Sequence, residues 1–368
     1  MAMRNQKRPV LQMKMSSLES FLQQEFGPGA RLTEAAEMGA ESQGMKDFGY
    51  GKPVSISFEL GGEPRQVVLS TMRGDRYGHQ YYWDRAAILM FQFDSGGRME
   101  KHVRPLALGY VDEQNNMIPV VDPKEFFIIH ERIQGYDYFR DLERIRKNGL
   151  EEEDLERTRE FARWLARVHS EKNDDPDLYL RRIRNLIGAS ECIFGLVDSY
   201  PHPYEFFSPQ RFQAMEKRLI DWRWKLRGFT HRLAAVHGDF HPWNVLIQPD
   251  GDFRVLDRSR GEWGEPADDM STMSCNYLLY SLCIKSAMHG DFERLYRTLW
   301  DTYLDITGDR EMLKVAAPFY VFRGLVIASP QWYPSHSPEV RKSLFSFMEN
   351  VLSDEQFDYV RINRYLNG

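Results

Sequence analysis

The spacing of apolar and polar positions changes near residue 135. Before it the runs are short and strand-like. VSISFEL (54–60) alternates, and Arg31–Met38, Pro53–Leu60 and Arg65–Ser70 predict three strands, with GGEP (61–64) as the hairpin turn between the last two. SSLESFLQQEF (16–26) predicts a short helix. RYGHQYYWDRAAILMFQF (76–93) predicts a second, with Trp83, Ala87, Leu89 and Met90 on its apolar side. EFFIIHE (125–131) reads as one more strand. Beyond Gly135 the period is helical: EEEDLERTREFARWLARVHS (151–170) carries Leu155, Phe161, Trp164, Leu165 and Val168 on one stripe. Strand character returns only around 233–257. The pattern predicts an α+β protein of two lobes, a small antiparallel sheet with a helix over 1–130 and a mainly helical part over 131–368. The charge-dense run 140–160 reads as a solvated surface with i,i+4 pairs.

Bulk properties narrow the classes. A chain of 368 residues is long for a single core, which agrees with two lobes. The net charge of −6 gives no basic footprint for nucleic acid or an anionic membrane. The three cysteines, Cys192, Cys275 and Cys283, fit no metal spacing and read as reduced thiols. The basic start MAMRNQKRPVLQMKM lacks an apolar core of a signal peptide, and the longest apolar run, Ala86–Phe91, is far short of a membrane span. A cytoplasmic protein is the expectation.

One stretch concentrates chemistry. LAAVHGD (233–239) passes from an apolar run into a polar loop, NVLI (244–247) leaves it, PDGD (249–252) turns, and FRVLD (253–257) returns. That is a β-hairpin. It converges Asp239, Asn244 and Asp257: two carboxylates and a carboxamide, hard oxygen donors that suit Mg²⁺ on phosphates better than Zn²⁺. A carboxylate not used by metal can take the proton of an attacking hydroxyl. A loop Asp with an Asn and a second Asp is a recurring arrangement for phosphoryl transfer.

HGDFHPWN (237–244) resembles the H-G-D-x-x-x-x-N catalytic loop of the aminoglycoside phosphotransferase and choline kinase superfamily, protein-kinase-like kinases of small molecules. LDRSRGEWGEPADDM (256–270) resembles that superfamily's metal-binding Asp segment and its G-x-P-x-x-D element. FARWLARVHS and FFIIHERIQG are similar to the helix before the catalytic loop and to the hinge strand. The resemblance implies a kinase-like bilobal fold, with ATP or GTP as donor, Mg²⁺ as cofactor and a small hydroxylated molecule as acceptor. Asp239 is then the base, His237 braces the loop, Asn244 and Asp257 hold Mg²⁺, and Asp269 hydrogen-bonds the loop backbone. Capping of the following helix is an equal reason for Asp268 or Asp269. Adenine is expected against the hinge, with Glu131 and Ile133 as contacts, and Ser42 in GAESQG (39–44) as part of a phosphate-covering loop.

The chain departs from the superfamily at the third strand, whose phosphate-contacting Lys has no counterpart in RQVVLSTMRG: Ser70 stands at the expected position. Arg73, Arg76, Arg85 and Lys52 are candidate substitutes, although Arg does not simply replace Lys. Two other readings follow. A pseudokinase would have kept the fold and lost the clamp. A metal-dependent hydrolase would use His237, Asp239 and His241 as ligands, but leaves Asn244 and Asp257 unexplained. Trp243 reads as packing, and Arg323, Trp332, Tyr333 and His336 read as core or as pocket lining.

Overall fold

The computed structural model describes residues 14–37, 53–75, 78–96, 98 and 100–367. The chain divides into two compact units, Met1–His130 and Glu131–Gly368.

In the first unit, helix α1 (Met15–Phe26) is followed by strands β1 (Arg31–Glu37), β2 (Val54–Leu60) and β3 (Glu63–Leu69), which form one antiparallel sheet in that order. The alternation in β2 does what its period predicts. Ile56 and Phe58 face the core and Glu59 faces solvent. Leu18, Phe21 and Leu22 of α1 pack against them with Ala30 and Met117. Helix α2 (Tyr82–Gly96) follows, then the hairpin β4 (Gly109–Val111) and β5 (Met117–Pro119). The amide of Met117 donates to the Ser17 hydroxyl at 2.7 Å, tying that hairpin to α1.

Two sequence expectations change here. Helix α2 starts at Tyr82, not at 76, because the Asp84 carboxylate accepts the amide of Tyr81 at 3.0 Å and so fixes the first turn. Its expected apolar side is not a core face, since Trp83 and Ala87 are exposed and Leu89 and Met90 only half-buried. The segment 125–131 is not a strand. Phe127, Ile128 and Ile129 are 77–85% exposed, and no described strand pairs with it. An apolar run supplies the residue types of a strand, but only a partner backbone makes one.

The second unit is mainly helical. Strand β6 (Tyr136–Asp137) leads into α3 (Phe139–Asn148), α4 (Glu152–His169), α5 (Pro176–Gly188), α6 (Ile193–Ser199) and α7 (Pro209–Leu226). Four short strands follow, β7 (Ala234–Ala235), β8 (Val245–Ile247), β9 (Phe253–Val255) and β10 (Trp263–Gly264), and then α8 (Ala267–Leu282), α9 (Gly290–Thr307), α10 (Ala317–Ala328) and α11 (Pro338–Val351). Helix α8 is the axis. It packs against α9 and α10 and is buried on nearly every side. Its polar residues are accommodated internally: the hydroxyls of Thr272 and Ser274 both donate to the carbonyl four residues back, at 2.6 Å.

The run 140–160 is only partly the solvated surface that its charge suggests. Arg157 pairs with Asp141, and Arg144 with Asp154, across the α3–α4 junction, and both carboxylates are buried. The i,i+4 pair Arg157–Glu153 lies beside them.

Candidate active site

The hairpin expected from PDGD forms. Val245 pairs with Val255 and Ile247 with Phe253, and β6 extends the same small sheet along β8. Beyond the ladder, the amide of Leu256 donates to the Asn244 carbonyl at 2.9 Å. Asn244 therefore faces Leu256, and Asp257 lies one residue further on. Asp257 has a left-handed backbone, φ +53°, which breaks the strand alternation at that point. Aspartate is among the few residues that adopt this conformation readily.

The loop 237–244 is held from three sides. On α8, Asp269 accepts the amides of His237 at 2.8 Å and Gly238 at 2.7 Å, and it also meets His169 Nε2 at 3.1 Å. Asp269 thus binds the loop and is not the helix cap, which falls at Pro266 without side-chain help. Burial raises its carboxyl, but the hydrogen bond from His169, the nearby histidines and the loop amides outweigh this and leave it below the ordinary carboxylate range. Just past β9, the Leu256 carbonyl accepts His237 Nε2 at 2.9 Å, while His237 Nδ1 accepts the Asp239 amide at 3.2 Å. Both ring nitrogens are spent inside the chain, which removes His237 as a ligand of the hydrolase reading. Within the loop, Asn244 Nδ2 donates to the Asp239 carbonyl at 3.1 Å. The amide nitrogen is thereby committed, and the Asn244 Oδ1 is the atom that remains for a cation. Gly238 has φ +84°, and a Cβ there would stand 3.3 Å from the Cβ of Arg260, so the turn is one that glycine makes without strain.

Asp239 itself is buried among cations. Arg323, on α10, places Nη1 2.5 Å from Oδ1 and donates from Nη2 to the Gly238 carbonyl at 3.2 Å and to Asp268 Oδ1 at 3.4 Å. Oδ2 faces Arg260 Nη2 at 3.7 Å and His241 Nε2 at 3.8 Å. Burial raises the Asp239 carboxyl, but Arg323, Arg260 and His241 more than offset it, so Asp239 titrates below its usual value. Asp268 behaves in the opposite way: burial pushes its carboxyl up to about 6 despite Arg323. Burial next to two arginines lowers His241 to about 4 and keeps it neutral. Around His241 runs an aromatic wall. Trp243 stacks on Phe139 with ring centroids 5.3 Å apart, meets Tyr333 edge-on, and Tyr333 stacks on His336.

The structure thus brings His237, Asp239 and Asn244 onto one braced loop, with Asp257 just past the paired end of the hairpin. Asp257 is exposed, and no ion pair among the described residues includes it. Two oxygen donors, the Asn244 amide oxygen and the Asp257 carboxylate, fit a magnesium ion that takes its other ligands from phosphates and water. The residues expected at the nucleotide are not gathered in the same way. Ser70, exposed just past β3, and the exposed Arg73 belong to the first unit; Glu131, exposed, and Ile133, half-buried, belong to the second and lie in no strand. Arg85 donates to the carbonyls of His79 and Gln80. Ser42, Lys52 and Arg76 lie outside the described residues. Sequence reasoning named Arg323 only as core or pocket lining, not as the partner of Asp239, and it missed His169. Arg323 was one polar residue in an apolar helix, FYVFRGLVIA, and a charge in such a setting is itself a signal of a buried partner. His169 closes the α4 pattern and carried no local sign of its bond to Asp269.

A family model described as "Phosphotransferase enzyme family" matches residues 101–312. Among solved structures, the chain is similar to a Plasmodium vivax ethanolamine kinase (13% identity, covering 90% of this chain and 80% of that one, TM-score 0.32). It is also similar to the choline kinase LicA of Streptococcus pneumoniae (10% identity, 91% and 99% coverage, TM-score 0.32). A third is an aminoglycoside phosphotransferase of Streptomyces rimosus (13% identity, 84% and 99% coverage, TM-score 0.33). No curated protein matches the chain.

Proposed function

The chain belongs to the phosphotransferase enzyme family, with its protein-kinase-like α+β fold, and from that premise we propose that it moves the γ-phosphoryl group of ATP to a hydroxyl of a small molecule. The observation that carries this reading is Asp239 on a loop fastened by Asp269, with Asn244 and Asp257 at the mouth of the adjoining hairpin. Asp239, ionised at neutral pH, orients the acceptor hydroxyl and takes its proton as the phosphoryl group departs. Its low proton affinity suits a loose transition state, in which positioning matters more than basicity. Because Oδ1 is bound by Arg323, Oδ2 is the oxygen that meets the hydroxyl. Asn244 and Asp257 hold the magnesium, which when bound neutralises charge on the phosphates. His237 keeps the loop and the hairpin in register.

The second reading is a nucleotide-binding pseudokinase, and Ser70 at the end of β3 favours it. Thermal melts separate the two, with Mg²⁺ plus ATP or GTP, on the wild type, Asp257→Ala and Asp239→Asn. The kinase reading expects stabilisation that needs nucleotide and Asp257 but survives Asp239→Asn. In a screen of hydroxylated metabolites, Asp239→Asn should lower transfer about a hundredfold or more. Indifference of the wild type to millimolar nucleotide would remove the kinase reading. Binding without transfer to any acceptor or to water would favour the pseudokinase.

A further inference from the structure

We propose that Arg260 is the cation that meets the transferring phosphoryl group, in place of the lysine missing from β3. The inference rests on the phosphotransferase reading and follows from geometry within the second unit alone. An acceptor oxygen must lie within about 2.6–3.2 Å of the basic carboxylate oxygen, and the phosphorus it attacks about 3–3.5 Å beyond. The phosphoryl group therefore passes within about 6–7 Å of Asp239 Oδ2. Arg260 reaches that shell of space, with Nη2 3.7 Å from Oδ2. Phosphoryl transfer needs positive charge there, and a guanidinium fork matches the equatorial oxygens.

The other arginines nearby are committed. Arg323 is 4% exposed and is spent on Asp239 Oδ1, the Gly238 carbonyl and Asp268. Arg258 donates to the carbonyls of Val236 and Glu262. Arg260 differs. Its side chain is 25% exposed, its one hydrogen bond among the described residues is a long one, 3.5 Å to the Gly238 carbonyl, and Asp239 is too far to bond it directly. Its guanidinium lies 4.5 Å over the ring of Phe322, which steers it without using its donors. The backbone beneath it is fixed as well, because Arg182 donates to the Arg260 carbonyl at 2.9 Å. Arg260 also follows the proposed metal ligand Asp257 by three residues, so one segment carries both the metal and the compensating charge.

Calorimetric titration with MgATP and with MgADP tests this on the full chain, for the wild type, Arg260→Gln and Arg260→Lys. The expected result is a wild type that prefers ATP and an Arg260→Gln variant whose ATP affinity falls about tenfold to a hundredfold while its ADP affinity is unchanged, as for a lost charge-assisted hydrogen bond. Arg260→Lys should fall between and keeps the test valid if the glutamine variant does not fold. Equal weakening of both nucleotides, or no change in either, would overturn the assignment; unchanged nucleotide affinity is also the result expected if Arg260 grips an anionic acceptor instead. A wild type that binds no magnesium nucleotide would bring down the phosphotransferase reading, whereas a wild type that binds ATP normally alongside an unaltered Arg260→Gln would bring down only the role of Arg260.

Discussion

Arg323 sits between two carboxylates, Asp239 and Asp268, in the core of the second unit. Deleting the cation strands both charges, and breaking a buried pair from one side costs about 3–5 kcal/mol. Arg323→Met should therefore be less stable than the wild type by about that amount in urea unfolding, whereas exposed Arg163→Met should be near neutral. Acid stability depends on the same neighbourhood. His241 and His336 both titrate near 4 in the folded chain, against 6.5 when unfolded, chiefly through burial. Their folded state resists protonation, so their contribution is present above 6.5 and is lost as pH falls toward 4. Asp268 works the other way: raised from 3.8 to about 6, it favours the folded state as pH falls through that window. Two histidines oppose one aspartate, so the urea midpoint should drop between pH 7 and pH 5. Replacing both histidines with glutamine should abolish or reverse that drop. A midpoint in the wild type that rises on acidification would show that the histidines are solvated.

At the scale of elements, the hairpin and its loop were the most legible part of the sequence. HGDFHPWN, PDGD and the returning Asp257 are local signals, and local signals survive translation into structure: β8 and β9 form the expected antiparallel hairpin, although its register sets Asn244 opposite Leu256 and leaves Asp257 one residue further on. Gly251, at φ +87°, closes the turn, and a Cβ there would meet nothing within 4 Å. Gly251→Ala should thus cost about 1 kcal/mol from backbone conformation alone, read from the unfolding midpoint with site geometry intact. What the sequence hid were partners at long range. Arg323 lies 84 residues from Asp239 and His169 lies 100 from Asp269, and no periodicity links such pairs. The strand expected over 125–131 failed for the same reason, since its apolar run said nothing of a neighbour. Asp141 and Asp154 were misplaced on the surface because charge was visible and the helix packed against it was not.

For the whole molecule, both pieces of the expected α+β pattern are present, and the candidate chemistry described above is housed in the second. Its core runs through α8, α9 and α10, and among the described residues its strands pair only with one another. A chain of residues 131–368 is therefore expected to fold alone and unfold cooperatively in urea, followed by tryptophan fluorescence; a non-cooperative melt would mean that the core is incomplete. No helix among the described residues is long and apolar enough to cross a membrane.

The position of Arg323 on α10 also limits how such an enzyme can be re-engineered. Whole helices are natural segments to exchange between relatives when a new property is wanted. Here α10 brings with it the counter-charge of Asp239 and of the loop that carries it. A graft that replaced it with an uncharged helix would leave the buried Asp239 carboxylate without its cation, so transplants of this region should keep an arginine at position 323 and vary the residues beyond it.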